Sequence, residues 1–400
     1  MEPASPTTLL QGRFFQPRLP AFWLYVVIVG LTGIVAVGEQ NLFREMSPAG
    51  WALSWALVVV YAAPVALLVY FLDLYEREPI PLLVAAFVWG AVAATTLSAI
   101  GNAGWALVVA RLGGPDLATR WSAAITAPVV EETLKGLGVV LIVLIAREEM
   151  DDRMDGFVYG ALCGLGFAVV EDVFYFLAVF GGDVRGVLEG FFVRVIASGL
   201  YSHVLYTGLV GMAIAIVATR RDRRPLAARV RSAIPLVVVA VVGHFLWNSP
   251  ILDLFPAHPW EGAEWLLIPF ATALKGLPLL IFVALAIGLA HRRERRWLRE
   301  ALEAEVDDAA LTPRELATLE SVRGRRRARL RMGRRAGDRA ARLLGRLQRE
   351  QVNLAMIRSK VATDDDPALV RQRALCRAIR AALEAIPGAA GSAEPSRVPG

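Results

Sequence analysis

AAITAPVVEETLKGLGVVLIVLIA, residues 123–146, is apolar enough to cross a bilayer, yet it carries Glu131, Glu132 and Lys135. A run of about 20 apolar residues reads as a transmembrane helix, and an ionised group held in hydrocarbon is costly. Such groups face a bundle interior and mark a functional site. Three other long apolar segments repeat the anomaly, with Glu171 beside Asp172, with His203, and with His244. Two His and three Glu are also the groups that bind a metal or move protons. The pattern points to chemistry performed inside a membrane.

The rest of the chain agrees with that reading. Of 400 residues 56% are hydrophobic, and the mean hydropathy is +0.49, which excludes an ordinary soluble globule. Eight spans are expected, at about 21–38, 51–72, 81–110, 121–146, 156–180, 188–219, 232–250 and 264–290. The third is longer than a span needs and is expected to tilt or break near Gly101-Asn102-Ala103-Gly104. The fold class is therefore all-α: a polytopic bundle of about eight spans with a basic, partly helical tail. Arginine placement orients it. The loop with Arg220, Arg221, Arg223, Arg224, Arg229 and Arg231 is expected in the cytoplasm, as is the segment with Arg292, Arg293, Arg295 and Arg296. The loop between them, from Ile251 to Ala263, has no Lys or Arg. Counting back places both termini in the cytoplasm and the protein in the cell membrane as a multi-pass chain. Ala36-Val37-Gly38 is small enough for signal cleavage, but the polar lead and full spanning length favour an uncleaved first helix. Of two cysteines, Cys163 falls in a span and Cys376 in the tail, so no disulfide framework is expected.

Composition changes abruptly near His291, where Arg, Ala, Leu and Glu take over; the tail carries more positive charge than the chain's net +6. The divisions expected are about 1–20 (cytoplasmic lead), 21–290 (membrane domain), 291–387 (Arg-rich helical tail) and 388–400 (disordered end). Thr312-Pro313-Arg314-Glu315 reads as a capping box with Pro at the first helical position. Helices are expected at about 336–360 and 367–386, on either side of Asp364-Asp365-Asp366-Pro367. Runs such as Arg323-Gly324-Arg325-Arg326-Arg327 suit anionic lipid head groups, or plain solvated retention of the tail on the positive side; nucleic acid is not expected.

Depth decides whether the intramembrane groups form one site. Glu131 lies about 15 Å from the outer edge at Trp121, and Glu171 about as far from the end near Gly181. His203 lies roughly 18–22 Å from an edge near Phe191 or Leu188, and His244 about 9 Å from Pro250. All four fit one slab under the outer surface, whereas unrelated polar groups would scatter over the ~30 Å core.

Glu131 and Glu132 diverge by about 100° on a helix, and Lys135 shares the face of Glu131, an arrangement suited to an internal ion pair. Pro128 can kink the helix towards the site. Small residues Gly160, Gly164 and Ala168 would admit a close neighbour beside Glu171, and Asp172 is expected to orient a neighbouring group. Thr207 and Gly211 continue the face of His203, and Asn248 that of His244. His258 and His291 are given no role; Lys275 is expected to snorkel or pair with a carboxylate, and Asp73, Glu76 and Glu78 to be solvated.

Two His and a Glu with a second Glu as base are what a metal-assisted hydrolase needs. No HExxH spacing occurs, so ligands must come from separate helices, and there is no GxSxG for a serine hydrolase. A metal-free route would have Glu activate water and His meet the oxyanion.

The order Glu131-Glu132-Thr133-Leu134-Lys135, Phe167-Ala-Val-Val-Glu171, Ser202-His203 into Tyr206-Thr207-Gly208, and His244-Phe-Leu-Trp247-Asn248 resembles the PrsW family of intramembrane proteases. That family is distantly similar to the CAAX prenyl endopeptidase group. The resemblance covers about residues 20–290 and leaves the tail outside. It implies catalytic Glu131 and Glu132 with Glu171, His203 and His244, supported by Lys135, Asp172 and Asn248. It also implies a divalent metal, zinc by donor type, held by His203, His244 and Glu171. The implied substrate is a single-pass membrane protein resembling an anti-sigma factor, cut near the outer side of the bilayer. One departure stands out: Asp172 replaces the Asn common in the family, adding charge and removing two N–H donors. The competing reading is a proton-coupled transporter or channel using the Glu/His cluster as a relay; against it, no paired half-sequences are visible. A scaffold with idle carboxylates is a third.

Overall fold

The computed structural model describes residues 13–75, 77–197, 203–219, 222–250, 264–307, 310–361 and 363–389, without the side chains of 264–269 and 271. Among them helices dominate and no strand occurs. Glu76, His258 and all but the first two residues of the expected disordered end lie outside the described residues. Chain contacts divide the protein into two units, one comprising 12–73 and 77–288, the other 74–76 and 289–400 with the first eleven residues.

The first unit is the apolar bundle. Helices α1 (Pro20–Met46) and α2 (Pro48–Leu72) each begin with Pro, whose missing N–H costs nothing at a helix start. Helix α3 (Ile80–Val88) passes through a π turn, Trp89–Ala94, into α4 (Thr95–Gly113). Gly114, at φ 86, turns the chain into α5 (Pro115–Ile145). Then follow α6 (Arg153–Phe174), opened by an Asp152/Asp155 capping box and ending in a π turn at Tyr175–Val179, and α7 (Val184–Phe191) with its own π turn Phe192–Ala197. Helices α8 (His203–Ala218), α9 (Leu226–Asn248) and α10 (Glu264–Asp307) complete the apolar set, and α10 supplies residues to both units.

Among the described residues, six helical stretches are long and apolar enough to span a membrane: Pro20–Met46, Pro48–Leu72, Ile80–Gly113, Arg153–Val179, Leu226–Asn248 and Thr272–Val306. Helix α5, at 31 residues, is long enough but carries the Glu131–Lys135 charges. Of the span expected over 188–219, the described residues form the end of α7 with its π turn, and α8; residues 198–202 lie outside the described residues. The break expected near Gly101–Gly104 is absent; α4 runs straight through it. The irregularity falls at Trp89–Ala94, where Gly90 lets the backbone press on the Cys163 carbonyl; a Cβ there would sit 1.8 Å from that oxygen.

Helix α6 is the axis. Its span is 67% buried, against 17% for those of α1 and α2, so α6 lies inside and the other two present apolar surface outward. Glycine explains the enclosure. A Cβ on Gly160 or Gly164 would stand 2.2 Å from the carbonyl oxygen of Thr207 or His203, so α8 lies against α6 backbone to backbone. That contact holds His203 beside the end of α6 that bears Glu171.

The second unit has a core of its own, formed by residues such as Leu298, Leu302, Leu319, Leu347, Leu354 and Leu369 from α10, α11 (Pro313–Leu319), α12 (Val322–Lys360) and α13 (Pro367–Glu384). Helix α11 is opened by the expected capping box: the Thr312 N–H donates to Glu315 Oε2 at 2.8 Å and the Glu315 N–H to Thr312 Oγ1 at 3.2 Å. Helix α12 is broken at Gly337 (φ 82), so it is two limbs rather than one rod. Not every arginine here is a solvated charge: Arg373 grips buried Glu305 through Nε (2.7 Å) and Nη2 (2.9 Å), and Arg325 is buried, with its guanidinium over the Tyr75 ring.

Candidate active site

Four helices bring their ionisable residues together. Helix α5 contributes Glu131, Glu132 and Lys135, α6 Glu171 and Asp172, α8 His203 and α9 His244; all but Glu171 are buried, and Glu171 is half-buried. Lys135 is completely enclosed. Its Nζ donates to Glu132 Oε1 at 2.6 Å, meets His203 Nδ1 at 2.8 Å, stands 3.6 Å from Glu131 Oε2 and lies 4.2 Å from the centre of the Phe167 ring. The tighter partner is thus Glu132, three residues away, rather than Glu131 on the expected face. Glu131 is drawn aside by Asn102 of α4, whose Nδ2 donates to Oε1 at 3.0 Å. The register of α5 here is set by Trp89, whose indole N–H donates to the Leu134 carbonyl at 2.9 Å.

The hydrogen-bond partners assign the histidine tautomers. An ammonium can only donate, so His203 Nδ1 facing Lys135 must be the bare nitrogen. Its Nε2 then carries the hydrogen and donates to Glu171 Oε2 at 2.9 Å. In His244, Nδ1 faces Glu132 Oε1 at 3.2 Å and is the donor, which leaves Nε2 bare. Tyr206 stacks on the His244 ring at 4.8 Å and 4°, and fixes its plane. Both nitrogens lie near one atom: Glu131 Oε2 is 3.8 Å from His244 Nε2 and 3.9 Å from His203 Nδ1, whose lone pair takes a hydrogen from Lys135. That oxygen is buried and accepts no hydrogen bond.

A metal ion fits this arrangement. Glu131, His203 and His244 can each offer one ligand atom, all within 4.8 Å of one another. The far nitrogen of each ring is held by a carboxylate, Glu171 for His203 and Glu132 for His244, as metal-ligating imidazoles usually are. Charge points the same way. Glu131, Glu132, Glu171 and Asp172 face two permanent cations, Lys135 and Arg194, which formally leaves two negative charges in a buried cluster. A divalent cation would balance them.

The sequence reading missed Arg194. It lies in the π turn after α7, where Nη2 donates to Glu171 Oε2 and Nε to Asp172 Oδ1, each at 2.6 Å, while the guanidinium covers the Tyr175 ring at 3.8 Å. An Arg within the apolar stretch expected as one span was the available signal. Asn102 and Thr207 also serve the cluster, the Thr207 hydroxyl donating to Glu132 Oε2 at 2.9 Å. Asn248 is not drawn in; its Nδ2 donates to the Ala123 carbonyl at 3.3 Å and ties α9 to α5. Lys275 donates to the carbonyls of Ser249 (2.9 Å) and Trp247 (3.2 Å) at the end of α9. Carbonyls at a helix end are suited to receiving such a cation. Asp73 and Glu78, expected to be solvated, are buried; Glu78 accepts the Tyr159 hydroxyl, a partner far away in sequence.

Residues 78–285 match the family described as PrsW family intramembrane metalloprotease, which is just over half of the 400-residue chain. The chain belongs to the PrsW family. It is 29% identical over 126 residues to Protease PrsW of Bacillus subtilis (strain 168), covering 31% of this chain and 55% of that one. It is 32% identical over 127 residues to Protease PrsW of Geobacillus kaustophilus (strain HTA426), covering 31% and 53%. The chain thus spans about half the length of the curated relatives it matches. No solved structure matches. The PrsW match takes in every member of the cluster, from Asn102 to His244, and stops short of α11, α12 and α13.

Proposed function

We propose that this PrsW-family member is an intramembrane endopeptidase that hydrolyses a peptide bond of a membrane-anchored protein with a metal-assisted water. The observation that carries the reading is the gathering of Glu131, His203 and His244, with one ligand atom of each within 4.8 Å of the others, about a carboxylate oxygen that is buried and accepts no hydrogen bond; an ion there would take the place of Lys135 at His203 Nδ1. His203, His244 and Glu131 would hold the ion, and the His/His/Glu donor set suits zinc. When bound, such an ion supplies Lewis acidity and a water of lowered pKa. Glu171, expected from the sequence among the ligands, here orients the His203 ring, and Arg194 with Asp172 holds Glu171. Glu132 is the proton carrier. Lys135 compensates its charge, and Lys135, Thr207 and His244 surround it with proton-bearing groups along which a received proton can be passed to the leaving amine.

The substrate proposed is a single-pass membrane protein, anti-sigma-factor-like by the family resemblance, cut towards the outer side of the bilayer. The Arg-rich segments around 220–231 and 292–296 support a multi-pass cell-membrane protein with both termini in the cytoplasm, and the basic tail is read as contacting anionic lipid rather than nucleic acid.

The test is cleavage of tagged single-pass substrates by the purified chain in lipid, with and without a strong chelator, alongside His203→Ala and His244→Ala. Chelator-sensitive cleavage restored by zinc, and lost in both variants, is expected. Chelator-resistant cleavage would replace the ion with a carboxylate-activated water. No cleavage together with a proton flux that depends on Glu132 would turn the reading to transport.

A further inference from the structure

The arginines of the second unit fall into two populations. Arg325 donates to the Leu74 carbonyl at 2.5 Å, Arg373 is bound to Glu305, and Arg380 to Glu315 at 2.6 Å. These are structural. Arg326 and Arg329 on the first limb of α12, and Arg342 and Arg349 on the second, are different: all four line one open cleft of about 710 Å³ between the limbs. None of the four is ion-paired among the described residues; Arg329 makes a hydrogen bond to Gln348 Oε1 at 3.2 Å. Asp338 is the acid on the cleft wall. The limbs approach closely because Gly345 makes room for the Arg329 stem, whose Cδ would lie 3.1 Å from a Cβ there.

We propose that this cleft is a binding site for an anion carrying two or more neighbouring phosphoryl groups. Four guanidinium groups against one carboxylate leave a charge of +3 around the space. A phosphate monoester carries about −1.5 to −2 near neutral pH, so two phosphoryl groups match it. Guanidinium forks bind phosphate oxygens in a bidentate geometry that ammonium groups cannot reproduce. The volume falls within the roughly 300–1,000 Å³ of small-ligand pockets. Because the limbs meet at Gly337, the cleft ends there, which suits a compact anion better than a polynucleotide strand that must run through. A soluble polyphosphate and a lipid head group with two phosphates share this chemistry.

The experiment uses the full chain in discs of phosphatidylcholine. Binding of inorganic tripolyphosphate is measured for the wild type, for Arg342→Ala/Arg349→Ala, and for the control Arg346→Ala/Arg371→Ala, which removes the same charge from exposed positions off the cleft wall. The lipid arm replaces part of the phosphatidylcholine with cardiolipin, without tripolyphosphate, and follows amide exchange over 338–349. Saturable tripolyphosphate binding weakened at least about tenfold by the cleft pair, and by less than about threefold by the control, is the expected result for a soluble ligand. Protection that appears with cardiolipin and vanishes in the cleft pair is the expected result for a head group. Equal losses in both pairs, neither binding nor protection in either arm, or tighter cleft-dependent binding of a DNA duplex would each overturn the proposal.

Discussion

Glu131 and Glu132 are neighbours on α5 in opposite surroundings. Glu132 receives Lys135, Thr207 and His244, whereas Glu131 keeps one oxygen that accepts no hydrogen bond, within 4 Å of a nitrogen of His203 and one of His244. The amide of Gln is nearly isosteric with the carboxylate but a poorer ligand and no base, so the two substitutions separate the roles. Glu131→Gln is expected to weaken zinc binding by about 10- to 100-fold or more, with cleavage falling in step. Glu132→Gln is expected to keep zinc affinity within about tenfold yet lose about 100-fold or more in cleavage. Zinc titration beside a cleavage assay reads both, and exchanged phenotypes would exchange the roles. Arg194 offers a second contrast at this scale. Removing one partner of a mostly buried ion pair costs about 3–5 kcal/mol, because the other charge stays buried. Arg194→Met strands two carboxylates, and Asp172→Asn removes one of them. The double variant should therefore be more stable than the sum of the two single losses, with a coupling of about 1 kcal/mol or more in thermal unfolding. Strict additivity would mean that the Asp172–Arg194 contact contributes no coupling of its own.

At the scale of elements, the contact of α6 with α8 sets the site. A methyl group on Gly164 would lie 2.2 Å from the His203 carbonyl, and backbone on both sides leaves little room to yield. Overpacking of this kind typically costs about 1–3 kcal/mol. Gly164→Ala is expected to lower the unfolding temperature and to impair zinc binding as well, since α8 carries His203. Gly104→Ala, where a Cβ meets nothing within 4 Å, should leave both unchanged or gain up to about 1 kcal/mol of helix stability. If Gly164→Ala behaved like Gly104→Ala, α6 and α8 would not be in backbone contact. The same elements show what a sequence can carry. Glu131, Glu132, Glu171, His203 and His244 were legible because a charge in an apolar run is an anomaly wherever it falls. Arg194 was as anomalous but was passed over, since the run around it was read as one continuous span and the π turn leaves no signature of its own. Glu78 was misread for another reason: its partner, Tyr159, is set by tertiary packing and not by spacing along the chain. The π turn at Trp89–Ala94 likewise depends on the backbone of α6 across from Gly90, so the flexible-looking Gly101–Gly104 stretch drew the attention instead.

For the whole molecule, the proposal that substrate is cut from the outer side requires both termini to lie in the cytoplasm. The chain lends itself to a direct check because its two native cysteines are silent. Cys163 is buried in α6. Cys376 is buried in the core of the second unit, and that burial pushes its thiol up to about 12, so it stays protonated and unreactive near neutral pH. A cysteine introduced at a loop position therefore reports that position alone. Ala257→Cys, in the loop without Lys or Arg, is expected to react in intact cells with a membrane-impermeant thiol reagent. Arg223→Cys, in the loop between α8 and α9, should react only after the membrane is opened, because basic loops are retained in the cytoplasm. Helix α9 lies between the two positions, so they must label from opposite sides if it crosses the bilayer. Labelling of both from outside would mean that α9 does not cross, and the reverse pattern would invert the chain. An inverted chain would turn the slab that holds His203 and His244 towards the cytoplasm, and the substrate proposed here would then have to be cut from that side.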